Sequence, residues 1–78
     1  MNLSEMAVGQ LVKVLAVTVG SADQRRLIEL GVRRGAVVEV VRRAPFGGPL
    51  AIRVNGGLLA LRAENARNVL VTAGAGDE

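Results

Sequence analysis

The chain has no cysteine, no histidine, no tryptophan and no tyrosine, and Phe46 is its single aromatic residue. Without cysteine no disulfide can staple the fold, and without cysteine or histidine the common zinc sites cannot be built. The usual general base at neutral pH is missing as well. Only two prolines occur, Pro45 and Pro49, close together. What is present is apolar: half of the 78 residues are hydrophobic, which argues for a folded chain despite ten glycines. The length allows one domain. A core of this size supplies only about 3–5 kcal/mol, so a protein partner or a homo-oligomer is expected.

Charge is uneven. Ten basic residues against seven acidic ones give +3, and nine of the ten are arginine. All nine arginines lie between Arg25 and Arg67 with only Glu29, Glu39 and Glu64 among them, while Asp77 and Glu78 close the chain. A basic centre attracts anionic partners, but it is also what an ordinary solvated surface looks like. Met1 to Met6 carries no positive segment ahead of an apolar run, so no secretory leader is expected. The longest strictly apolar runs, Val14–Val17 and Leu58–Leu61, are far below the roughly 20 residues of a spanning helix. A cytoplasmic protein without direct membrane insertion is the expectation.

Periodicity gives the elements. Gln10 to Val19 reads as a strand with Val12, Val14 and Ala16 inward and Lys13 outward. Ser21-Ala22-Asp23-Gln24 has the form of a capping box and opens a helix of about nine residues. Leu27 and Leu30 fall on one helical face with Ile28 at its margin, and Gly31 is placed to end the helix in a left-handed cap with Val32 folding back. Val37 to Ala44 is a second strand, followed by the turn Pro45-Phe46-Gly47-Gly48-Pro49, whose prolines cannot donate to a ladder. Leu50 to Val54 alternates with Leu50, Ile52 and Val54 inward, and Asn55-Gly56-Gly57 signals a hairpin into Leu58–Leu61. One helical turn over Arg62–Arg67 and a last strand over Val69–Thr72 complete residues 1–73, with 74–78 an acidic, flexible tail. Five short strands and one small helix predict a mainly β fold, most economically a small SH3-like barrel, with an OB-like barrel as the alternative.

No catalytic residue is expected. The hydroxyls Ser4, Thr18, Ser21 and Thr72 and the sole lysine, Lys13, have no histidine to work with. The acids Glu5, Asp23, Glu29, Glu39 and Glu64 follow no metal-loop spacing, so neither a metal site nor a cofactor site is assigned. Gly31–Gly35 and Pro45–Pro49 are turns, not phosphate cradles, because neither leads into a helix. Nucleic acid is not expected as a partner: the arginines supply charge, but Phe46 alone offers a stacking face. The inward assignments leave Leu11, Leu15, Leu58 and Leu70 pointing outward. They either form a docking surface or are covered by the helix and the N-terminal segment.

Three segments carry a resemblance. Arg26-Leu27-Ile28-Glu29-Leu30-Gly31-Val32 followed by Gly35, the turn Ala44-Pro45-Phe46-Gly47-Gly48-Pro49, and Leu59-Ala60-Leu61-Arg62 followed by Ala66 and Val69-Leu70-Val71 resemble, in order, the pattern of the FeoA family. The opening Leu3-Ser4-Glu5-Met6 with Val8-Gly9 is similar to the start of that family. Gly48 departs from an aspartate of the pattern and Asn65 from a glutamate. The same module resembles the C-terminal SH3-like domain of DtxR-type iron-dependent repressors.

The resemblance implies an SH3-like barrel with an inserted helix, and a role in bacterial ferrous iron uptake beside FeoB, a membrane Fe²⁺ transporter with a cytoplasmic GTPase domain. It also brings in transition-metal binding as an alternative function, in a metal-binding or metal-sensing domain. With no histidine or cysteine, association with Fe²⁺ is expected to be weak or indirect at most. The residues expected to dock on the transporter are Leu27, Leu30, Gly31, Arg33 and Arg34, together with Pro45, Phe46, Gly47, Gly48 and Pro49. Leu27 and Leu30 are expected to be shared in part with the core.

Overall fold

The computed structural model describes residues 1–73, and the tail expected at 74–78 lies outside them. Strands β1 (Leu11–Val17), β2 (Val37–Arg43), β3 (Leu50–Val54), β4 (Gly57–Leu61) and β5 (Val69–Ala73) form one antiparallel sheet in the order β4-β3-β2-β1-β5. Helix α1 (Ser21–Glu29) joins β1 to β2, and the single turn α2 (Ala63–Ala66) joins β4 to β5. All five expected strands and the expected helix are present.

The sheet bends because two strands carry irregularities. The pairing of β1 with β5 shifts between Val14 and Ala16, and that of β2 with β3 shifts between Val40 and Arg42. Such bulges kink a strand and increase its twist. The first of them corrects one expectation: Val12 and Val14 are buried, but Ala16 is only half-buried, since strict alternation ends at the bulge. The β3–β4 hairpin follows its sequence signal closely. Asn55 (φ +54°) and Gly56 (φ +80°) make a two-residue turn between the paired Val54 and Gly57, the positive-φ geometry that matches strand twist.

The start of α1 differs from the expected capping box. Val19 is held in the core, so the chain turns at Gly20, and Ser21 is already the first helical residue. No side chain caps this helix. Gln24 instead donates its amide N–H to the Gly20 carbonyl (2.8 Å) and its side-chain Nε2 to the Val17 carbonyl (3.1 Å), tying the helix to the end of β1. A capping box does occur at the N-terminus. There Asn2 Oδ1 accepts from the Ser4 N–H (3.0 Å) and Glu5 Oε1 from the Asn2 N–H (3.0 Å), opening a short 3-10 turn over Leu3–Glu5.

That N-terminal turn places Leu3 and Met6 in the core beside Val12, Val38, Ile52, Leu61, Ala66 and Val69. The Arg43 guanidinium holds it against β2, donating to the carbonyls of Met6 (2.6 Å) and Ser4 (2.7 Å). Asn2 bridges to Leu70, and the Met1 carbonyl accepts from the Val71 N–H (3.0 Å), so the segment also covers the β5 edge. It does not cover the outward leucines. Leu11, Leu15, Leu58 and Leu70 all remain exposed, Leu58 at 65%. On the outer face, Leu11 and Leu58 flank the ion pair of Glu39 with Arg53 (3.5 Å) in one cross-strand row.

Candidate docking surface

The residues expected to dock fall into two groups, and the fold sets them apart. One precedes β2 and the other follows it, so the seven residues of that strand separate them by about 20 Å.

The first group is built on the end of α1. Gly31, at φ +105°, donates its N–H to the Ile28 carbonyl (3.0 Å), and Val32 donates to the Leu27 carbonyl (2.8 Å). This paired pattern is a Schellman ending, with Val32 buried beneath it. The next turn is pinned to β1: the Gly35 N–H bonds the Val14 carbonyl (2.8 Å), the Val14 N–H bonds the Ala36 carbonyl (2.8 Å), and Ala36 closes on Arg33 (2.9 Å). Arg33 and Arg34 therefore stand on a fixed turn between two buried valines, Val32 and Val38, with both side chains in solvent.

Leu27 and Leu30 part company here. Leu27 is 3% exposed and belongs to the core, so the shared role expected of it is wholly structural. Leu30 is 42% exposed although it still lies on the helical path, its N–H bonded to the Arg26 carbonyl (3.1 Å), and the chain leaves that path at Gly31. Ile28, expected at the margin, is exposed as well. Two concavities flank the arginine pair. One, of about 440 Å³, is lined by Gly31, Gly35, Val37, Val54 and Asn55 with both arginines. The other, of about 330 Å³, is lined by Val17, Gln24 and Ile28 with the same two arginines.

The second group is the turn between β2 and β3. The Ala44 N–H donates to the Pro49 carbonyl (3.0 Å) and the Gly48 N–H to the Pro45 carbonyl (3.2 Å). Phe46 is fully exposed and holds a positive φ of +59°, unusual for a bulky side chain. Gly48 has a steric reason of its own. A Cβ there would lie 2.7 Å from the Ala44 Cβ and 3.2 Å from the Pro45 carbonyl oxygen. The aspartate of the family pattern thus cannot enter this turn without moving it. Gly48→Asp is expected to lower stability by about 1–2 kcal/mol in urea unfolding. Gly47→Asn, where φ is +72° and nothing lies within 4 Å, should cost less than about 0.5 kcal/mol, since asparagine tolerates the left-handed region.

The Thr18 hydroxyl bonds the Asn68 carbonyl (3.0 Å) and the Ser4 hydroxyl bonds the Asn2 side chain, both structural acceptors. The carboxylates are dispersed: Glu5 bonds the Asn2 amide, Glu39 pairs with Arg53, and Glu64 pairs with Arg62 (3.4 Å). Among the described residues no three acidic, histidine or cysteine side chains gather where a metal ion would need them. Among the described residues the donor set does not fit a resident transition metal. No helix among them is long and apolar enough to cross a membrane.

Comparison with known proteins gives these features a family. The FeoA domain model matches residues 1–73. Curated proteins give no match. The solution structure of the FeoA protein from Chlorobium tepidum is 42% identical, with a TM-score of 0.91 over 100% of this chain and 74% of that one. FeoA from Stenotrophomonas maltophilia, solved in complex with zinc and described as a prokaryotic SH3 domain protein, is 36% identical, with a TM-score of 0.80 over 92% of this chain and 89% of that one. A manganese-dependent transcriptional repressor shares the fold alone, at 16% identity and a TM-score of 0.83, covering 94% of this chain and 41% of that one. The SH3-like architecture is thereby shown, and the chain belongs to the FeoA family, which is tied to ferrous iron transport.

Proposed function

We propose that this protein is a non-enzymatic accessory of bacterial ferrous iron uptake that docks on a FeoB-type transporter from the cytoplasmic side and modulates it. The observation that carries the reading is the turn from Leu30 to Arg34. Five backbone hydrogen bonds fix this region, yet Leu30, Arg33 and Arg34 face solvent and do no work in the core. Exposed arginines on a backbone this well fixed are suited to a protein interface, where arginine is enriched. Phe46, at the far end of β2, offers a second and independent contact for the same partner. Fe²⁺ is cargo for the transporter in this reading, and the protein acts on the carrier.

The test is capture of a detergent-solubilised FeoB-type transporter on the immobilised protein. Wild type retains the transporter, and Arg33→Glu combined with Arg34→Glu retains at least about tenfold less, the scale of losing two interfacial arginines. Both substitutions are at exposed positions, so the melting temperature of the double variant should match wild type. Equal retention by the double variant removes this turn from the interface, and no retention by wild type removes the docking role.

A further inference from the structure

Resting on the docking reading above, we infer that the α1–β2 end of the molecule selects an acidic amphipathic protein segment. Its carboxylates meet Arg33 and Arg34, and one of its aliphatic side chains enters the concavity floored by Val17 and Ile28. The charge is one-sided. No carboxylate lines either concavity beside the arginine pair, and neither arginine takes part in an ion pair among the described residues. Lys13 adds to the positive field, because it stands directly across from Val37, which lines the larger concavity. Guanidinium groups present planar forks that pair with carboxylates through two hydrogen bonds each.

The apolar half of the requirement comes from the same place. Ile28 and Leu30 are exposed beside the arginines, and the concavity shared by Val17 and Ile28, at about 330 Å³, is at the small end for a drug-sized ligand. An aliphatic side chain flanked by acids satisfies both halves at once. A nucleic acid satisfies only one. Its phosphates suit the arginines, but a single strand wants aromatic platforms, and Phe46 lies at the opposite end of β2. A duplex would have to approach α1, where Asp23 and Glu29 flank the Arg25–Arg26 pair.

The experiment is fluorescence anisotropy on the whole chain with three labelled probes. The first is a short peptide repeating Glu-Leu-Leu-Glu, the second is its counterpart with glutamine in place of glutamate, and the third is a thymidine oligonucleotide of similar length. The acidic peptide should saturate, and its affinity should fall about tenfold on raising the salt from roughly 0.05 to 0.5 M. Arg33→Glu with Arg34→Glu should weaken it at least about tenfold, and Ile28→Gln about three- to fivefold. Arg67→Glu, an exposed change placed with the Gly47–Pro49 turn, should leave it unchanged. Equal binding of the glutamine peptide, tighter binding of the oligonucleotide, or no saturation by about 1 mM each overturns the inference. Capture of the transporter by a protein that ignores the acidic peptide sinks this inference and leaves docking intact. Peptide binding without capture sinks docking and leaves the surface chemistry standing.

Discussion

Leu27→Ala is expected to lower the unfolding free energy by about 3 kcal/mol, while Leu30→Ala, three positions later, moves it by less than about 0.5 kcal/mol. Both were candidates for the same apolar face, and only packing separates them. Leu27 is the one residue of α1 that is buried. A helix of nine residues cannot persist on propensity, so its attachment rests on that side chain and on the buried Val19 and Val32 that flank it. At roughly 0.05–0.15 kcal/mol per residue, a domain of this size has about 4–12 kcal/mol in total. A loss of that order leaves a population sensitive to mild urea. Equal costs for the two substitutions would mean that α1 packs with a different face. The pair also protects the docking test, because Leu27→Ala would weaken binding by unfolding, whereas Leu30→Ala alters the surface of a folded protein.

Gly31→Ala should cost about 2–3 kcal/mol, the backbone and steric terms acting together. At φ +105° an L side chain is strained whatever the space around it, and here the space is also closed. The new Cβ would meet the Asn55 Cβ at 3.2 Å and Val54 Cγ2 at 3.4 Å. Asn55 in the β3–β4 turn would have to give by a few tenths of an ångström. Gly35→Ala isolates the first term: its φ is +90° but nothing lies within 4 Å, so the cost should be about 1 kcal/mol. The difference between the two midpoints in urea reads the close approach directly. Identical midpoints would show that the Asn55 turn adds nothing.

How much of this was legible from residues alone divides along a physical line. Features set by local chemistry were readable: the Asn55-Gly56 hairpin, the Gly31 ending of α1, the alternation of Leu50 to Val54, and the outward direction of Leu11, Leu15, Leu58 and Leu70, though not whether another segment covers those leucines. Features set by tertiary competition were not. Ser21 has good capping chemistry, but the anchoring of Val19 in the core moved the turn to Gly20. Ala16 lost its inward place to a bulge that no residue type announces. The N-terminal turn is written locally in the capping pattern of Asn2-Leu3-Ser4-Glu5, but its seat in the core through Leu3 is set by tertiary packing. For the candidate site, the opposite ends on which its residues fall were not read from the sequence. The signal was present all the same, since a strand between two clusters sends them to opposite ends.

Docking through the α1–β2 end, as proposed above, is open to a direct spectroscopic test. The most direct measurement is the amide spectrum of isotope-labelled protein titrated with full-length FeoB-type transporter in lipid nanodiscs. Resonances from Ile28 to Val37 should broaden first and most strongly, with Phe46 a secondary site. Broadening confined to other surfaces, or an unchanged spectrum at saturating transporter, would contradict docking at this end.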